Sequence, residues 1–296
     1  MTKIVLLAGA SGKIGRNSER AFKAAGWTVR RFKRGTDMTV AARGVDVIVN
    51  GMNPPKYHDW ANIIPKITKQ VLEAAKANGC TVIIPGNLYN FGDNRDGEWS
   101  ETTPHTPITR KGRIREEMEQ AYRESGVQTI ILRAGNYIDP KSEDDVMSEV
   151  TLRAQSKGKF TTAGKPDAVQ NWCYLPDWAR AAAALSDKRH ELAQFVDVPF
   201  PGYSLSGTEL KAKIEALTGR RLKTVQFPWV IMQLLSPVWE MARELLEMRY
   251  LFDLDHSLSD RRMKTLLPGF QYTPLDDALS AKLGLQTAKP ALRVAA

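Results

Sequence analysis

The sequence predicts an α/β fold, a parallel sheet wound by helices on both faces, with a smaller, mostly helical C-terminal region. Three observations predict it. An apolar strand at residues 3–8 runs straight into the glycine turn Gly9-Ala10-Ser11-Gly12-Lys13-Ile14-Gly15 and then a helical stretch, 14–25. Strand and helix patterns alternate over the first half, which implies βαβ units with right-handed crossovers. Gly26, Gly79 and Gly126 each follow a helical stretch, where a left-handed capping residue is expected.

Taken in order, further strands read at 28–32, 45–50, 81–84 and 128–132. Helices read at 60–77 and 112–125, the former with Ile63, Ile64, Ile67, Val71 and Leu72 at helical spacing. Beyond residue 138 the pattern loosens. A helix-like stretch at 143–154 precedes Gln170-Asn171-Trp172-Cys173-Tyr174-Leu175-Pro176-Asp177 and an alanine-rich helix at 178–185. A short strand at 195–198 follows, then a helix at 206–217 with Ser206 as N-cap and Gly219 past its end. The tail TAKPALRVAA is expected to fray. The expected division is a nucleotide-binding core, 1–137 plus 171–198, and a substrate-binding region, 138–170 plus 199–296.

The order strand, glycine turn, helix is what a dinucleotide pocket needs. One glycine makes the turn, one lets a pyrophosphate approach the backbone, and one lets helix and strand pack closely. The anion then meets the unpaired N–H groups at the helix start. Gly9, Ser11, Gly12, Lys13, Ile14 and Gly15 are the expected contacts. At the end of the second strand an acid would bind a ribose hydroxyl, whereas cations accept a 2′-phosphate. Here Arg31, Lys33 and Arg34 stand with no acid before Asp37, so NADP is expected, with NAD as the alternative.

Charge and composition narrow the classes. Of the net +9, most lies in residues 1–50, which hold ten Lys/Arg against three acids. A polyanionic small ligand explains this excess better than nucleic acid, because no aromatic interleaving or nucleic-acid motif accompanies it. Cys80 and Cys173 read as buried thiols, and no His/Cys cluster has metal-ligand spacing, so no metal is expected. The start MTKIVLLAG does not read as a signal peptide, and a cytoplasmic location is expected. Residues 224–239 carry no charge for sixteen positions, but Pro228, Gln233 and Pro237 interrupt them. A pocket-covering or interface helix is the preferred reading, interfacial attachment the lesser one, and no membrane partner is expected. A homodimer is left open.

GASGKIG at the start, VDVIVNG at 45–51, FGD at 91–93, ILRAGNYIDP at 131–140, WCYLPDWARA at 172–181 and FQYTPLDDAL at 270–279 together resemble the extended short-chain dehydrogenase/reductases, the group of NAD-dependent epimerases and dehydratases. The resemblance spans nearly the whole chain. It implies a Rossmann core and a discontinuous substrate-binding region, with Gly51, Met52 and Asn136 added to the cofactor contacts and Trp172 and Tyr174 lining the substrate pocket. The partner is then a small organic molecule or sugar nucleotide.

The family's Ser/Tyr/Lys set does not carry over. On the matching segments Asn87 stands at the serine, Lys111 at the tyrosine and Arg115 at the lysine. A second resemblance, to the isoflavone-reductase and NmrA-like branch, implies that a lysine at the helix start, here Lys111, acts as general acid/base. Asn87 is then expected to orient a carbonyl and Tyr89 to be a replacement acid or substrate contact. The chain therefore reads as an NADP-dependent oxidoreductase or epimerase-like enzyme. A non-catalytic nucleotide sensor is the alternative. Asp177 is expected to cap the alanine-rich helix, and His58, His105, His190 and His256 to be surface or satisfied side chains.

Overall fold

The computed structural model describes residues 2–141 and 144–285. The chain begins β1 (Ile4–Ala8), α1 (Lys13–Ala24), β2 (Thr28–Arg31), α2 (Met38–Ala41), β3 (Val47–Asn50), α3 (Trp60–Asn78) and β4 (Thr81–Gly86). A short β5 (Glu98–Trp99), then α4 (Arg110–Glu124), β6 (Thr129–Arg133) and β7 (Asn136–Ile138) follow. Next come β8 (Lys159–Thr162), β9 (Val169–Tyr174), α5 (Leu175–Asp187), β10 (Phe195–Pro199), β11 (Tyr203–Ser206), α6 (Gly207–Thr218) and β12 (Lys223–Gln226). The described chain closes with α7 (Trp229–Leu235), α8 (Glu240–Glu247), β13 (Ser257–Leu258), α9 (Arg261–Leu266) and α10 (Leu275–Lys282).

Six strands form one sheet in the order β10-β6-β4-β3-β1-β2, every pair parallel. Side chains of a strand alternate between faces, and here both faces are covered. Val5 and Leu7 pack toward Phe22 and Trp178 beside α1 and α5, while Leu6 and Ala8 pack toward Ile64 and Ile114 beside α3 and α4. Burial on both sides is why these strands read as unbroken apolar runs. Order reverses between β1 and β3, and the crevice beyond their carboxyl ends is where such sheets bind ligands.

The first-half expectations hold to within two residues at each boundary, and Gly79 caps α3 at φ 68°. Ser206 caps α6 through a reciprocal pair with Glu209, as its spacing predicts. Three expectations change. Of the helix expected over 143–154, residue 143 lies outside the described residues. The rest holds a five-residue π-turn, Met147–Thr151, and a 3₁₀ turn, Gln155–Lys157. Buried Asp145 organises this segment, accepting from the backbone of Asp139 and Ser148 and from the Lys282 ammonium. Asp177 does not cap α5. Tyr174 occupies the N-cap position, while Asp177 ties Thr273 and Arg180 to the first turn. Strands of the C-terminal region also join small sheets, β11-β9-β7, β12-β8 and β13-β5, the last reaching back to residues 98–99. The sequences KFTT and KTVQ of β8 and β12 carry too little apolar alternation to read as strands. The TAKPALRVAA tail lies outside the described residues. Among those described, no helix is long and apolar enough to cross a membrane.

Candidate active site

One wall of the crevice is backbone. Gly9 has φ 81°, and a Cβ there would lie 2.8 Å from the Gly51 carbonyl carbon. A Cβ on Gly15 would lie 2.4 Å from the Gly9 carbonyl oxygen, and one on Gly51 would lie 3.0 Å from Ile14. These glycines bring the start of α1 against the ends of β1 and β3. Gly12 differs: its Cβ would meet only the Gly9 oxygen, at 3.4 Å, and otherwise faces outward. Gly12 is also the N-cap of α1, with no side-chain cap and no acid in the first turn. The N–H groups and positive dipole of this helix end suit an anion.

Around this cradle, the Ser11 carbonyl accepts from Arg16, and Met52 donates its N–H to Asn50 Oδ1. Lys13 is half-buried and reaches Asp144 across to the C-terminal region. Asn136 opens β7 in register with Trp172. At the β2 end, Arg31 is paired with Glu19 at 2.7 Å, leaving exposed Lys33 and Arg34 as the cations without an acidic partner among the described residues.

The other wall is side chains. After β4, Asn87 accepts at Oδ1 from the Tyr89 N–H at 3.0 Å, and its carbonyl accepts from Arg133 at 2.6 Å. Gly112 lets α4 approach this loop: a Cβ there would lie 2.7 Å from the Tyr89 carbonyl. One helical turn on, Arg115 is buried and donates to the Pro85 carbonyl, while its Nε has no partner among the described residues. Burial lowers its pKa, with Glu119 and Tyr137 opposing. Tyr89 Oη lies 3.5 Å from Tyr57 Oη. Burial raises the Tyr89 pKa, Tyr57 and Arg115 pulling it back; Tyr57 is raised further, first by Tyr89 and then by burial. Both phenols are therefore protonated near neutrality.

The Lys111 ammonium is spent inside the protein. It is fully buried, and Nζ bonds the Glu244 carbonyl at 2.8 Å, Glu244 Oε2 at 2.5 Å and Glu247 Oε2 at 2.9 Å. An ammonium has three protons, and all are engaged. The expected role of Lys111 as general acid/base is corrected on this ground: the side chain anchors α8 to α4. Tyr57 covers it, its ring centroid 5.1 Å from Nζ. The turn presenting Tyr57 is strained, with Lys56, Tyr57 and Asp59 at φ 53°, 61° and 46°.

Trp172 is buried with Ile138, Phe160 and Leu205 in the core of the C-terminal region, and half-buried Tyr174 packs against the same cluster. Sequence reasoning missed Tyr57, Glu244, Glu247 and Arg133. Arg133 is buried between Glu119 at 2.6 Å and Asp197 at 2.5 Å and holds the Asn87 loop. Ligand atoms of His105, Glu119 and Asp197 lie within 4.8 Å of one another, but Arg133 bonds both acids and His105 pairs with Glu116 at 2.5 Å. This cluster is an ion-pair network.

Sheet order, crevice and glycine cradle define a Rossmann-type protein. The chain belongs to the NAD dependent epimerase/dehydratase family, whose model matches residues 40–196. Its fold is similar to that of MoeE5 in complex with UDP-glucose and NAD (TM-score 0.75, 15% identity, covering 95% of this chain and 97% of that one). It is similar to UDP-glucuronic acid 4-epimerase from Bacillus cereus in complex with NAD (TM-score 0.74, 16% identity, 95% and 96% covered). It also matches the GalE-like L-threonine dehydrogenase from Cupriavidus necator (TM-score 0.73, 18% identity, 97% and 100% covered). At these identities the likeness is one of fold. No curated protein matches the sequence.

Proposed function

We propose that this chain is an NADP-dependent oxidoreductase or epimerase-like enzyme acting on a small organic or sugar-nucleotide substrate, with Tyr89 handling the proton and Arg115 beside it. The observation that carries the reading is the glycine cradle with its uncapped helix start, together with the buried Arg115 guanidinium, held at the end of neighbouring β4, whose Nε has no partner among the described residues. A buried donor without a partner is costly, and a ribose hydroxyl satisfies it. The cradle takes the pyrophosphate at Gly9, Gly12 and Gly15, with Ser11, Lys13, Ile14, Gly51, Met52 and Asn136 around the rest. Lys33 and Arg34 take a 2′-phosphate, and Arg31 contributes once it leaves Glu19. The nicotinamide, when bound, supplies the hydride donor or acceptor. Tyr89, protonated at rest, suits donation to a carbonyl oxygen. Asn87 orients that oxygen, using the amide protons left after Oδ1 has accepted from Tyr89. Residues 138–170 plus 199–296 hold the substrate.

One observation favours a second reading. With Lys111 locked in carboxylates and Asn87 and Arg115 replacing the serine and lysine, none of the usual catalytic side chains is in place, which suits a nucleotide-sensing protein. Oxidation of NADPH, followed with a panel of carbonyl compounds and sugar nucleotides, separates the two. Turnover of any member supports the enzyme; tight NADPH binding with no turnover across the panel supports the sensor.

A further inference from the structure

Among the described residues, nine large hydrophobic side chains are exposed, and six of them lie within ten consecutive positions: Val230, Ile231, Leu234, Leu235, Val238 and Trp239. Leu234 is 74% and Val238 85% exposed. Single exposed hydrophobics are ordinary, but a contiguous cluster marks a contact surface. The cluster forms the outer side of α7 and the turn into α8. Trp229 and Met232 on the inner side pack with Phe227 and Ala242, so α7 is apolar on both faces and only one of them is covered.

The rim decides what covers the other. Exposed Arg153 lies over the Phe227 ring at 5.7 Å, Arg249 over Trp229 at 5.5 Å, and Arg243 donates to the Ser236 carbonyl at 2.9 Å. None of the three forms an ion pair among the described residues. Upstream, exposed Arg220, Arg221 and Lys223 lead along β12 toward the same helix. The rim's acids are already paired: Glu240 with His58, Glu244 with Arg110 and Lys111, and Glu247 with Lys111. An uncharged apolar surface with a tryptophan at its edge and uncompensated arginines around it matches the anionic surface of a lipid bilayer. A second copy of this chain fits worse, because a two-fold contact on the patch brings one basic rim onto another.

We propose that the α7–α8 surface docks this protein peripherally on anionic membranes. Val230, Ile231, Leu234, Leu235 and Val238 enter the interface, and Arg153, Arg243 and Arg249 meet lipid phosphates. Because α8 also holds Lys111 and His58, docking places the catalytic crevice at the membrane surface.

Sedimentation with vesicles of phosphatidylcholine plus phosphatidylglycerol, against phosphatidylcholine alone, tests this on the full chain. The wild type should pellet with the anionic vesicles and far less with the neutral ones. Leu234→Asp with Val238→Asp should reduce pelleting to the neutral-vesicle level, with an unchanged circular dichroism spectrum because both side chains face outward. Arg153→Gln with Arg249→Gln should weaken it several-fold. Three results overturn the proposal: no pelleting of the wild type at low salt, pelleting unaffected by the aspartates, or a dimer in analytical ultracentrifugation that the aspartates dissociate.

Discussion

The wall of the crevice formed by Gly9, Gly15 and Gly51 is backbone in van der Waals contact, whereas the facing wall is long side chains held by charge. On the first wall a single Cβ would collide, so shape is set by what is missing from the sequence. On the second, Lys111 and Arg115 sit four residues apart on α4 with opposite fates. Lys111 is saturated by two carboxylates and a carbonyl, while Arg115 keeps a buried nitrogen unpaired among the described residues. Chemistry is available where hydrogen-bonding capacity is left over, and a cation at a motif position whose capacity is spent is a structural cation.

This contrast is broken or sharpened by four measurements. The largest effect is expected at Tyr89: Tyr89→Phe should lower turnover by roughly 10²–10⁴-fold, the usual contribution of a positioned proton donor, while NADPH affinity holds. Turnover equal to wild type would move the proton to another group. Next is Lys111. Lys111→Met leaves Glu247 without its cation and Glu244 with only the exposed Arg110, and breaking a buried pair this way costs about 3–5 kcal/mol. Urea denaturation should show that loss, and adding Glu244→Gln and Glu247→Gln should recover most of it. A stable single variant with abolished turnover would instead restore Lys111 as the acid.

His256 supplies the converse case, a buried group kept neutral. Its Nδ1 accepts from the Asn171 N–H at 3.3 Å, its Nε2 meets Gln170 Oε1 at 3.2 Å, and its ring stacks on Trp99. Burial pushes its pKa down from 6.5 to about 4. The unfolded chain therefore takes up the proton first. The stability contribution is full above pH 6.5 and is lost as pH falls through the window down to about 4. The linked loss is about 3 kcal/mol. Denaturation midpoints at neutral and acid pH should show it, and His256→Gln should flatten that part of the pH dependence; an unchanged slope in the variant would assign the acid lability elsewhere.

The two walls were unequally readable from the sequence. The glycine turn is local, so its spacing carries the geometry, and the alternating apolar strands carry the sheet. Lys111 pairs with residues 133 and 136 positions away, and Glu244 and Glu247 look like the solvated face of any helix. Nothing local distinguishes an exposed lysine from one buried by such distant partners. The packing of Trp172 is hidden for the same reason: its motif position says pocket, and its partners Phe160 and Leu205 come from other strands. The stretch at 143–154 has helical spacing but is organised by Asp145, a side chain whose partners include Lys282 at the far end of the described chain. Tyr57 carries no signal, because its place depends on a left-handed turn built without glycine.

The central claim is that a nicotinamide dinucleotide lies across the glycine cradle, and calorimetric titration of wild type and Gly12→Val with NADPH and NADH tests it most directly. The Gly12 Cβ position faces outward, so valine should fill the pyrophosphate space while leaving the fold intact. The account predicts that wild type binds NADPH more tightly than NADH by about tenfold or more, one charge-assisted contact being worth about 1.5–3 kcal/mol. It predicts that Gly12→Val weakens both nucleotides by at least about tenfold at an unchanged melting temperature. Wild type that binds neither nucleotide, or a folded Gly12→Val that binds as wild type does, would contradict it.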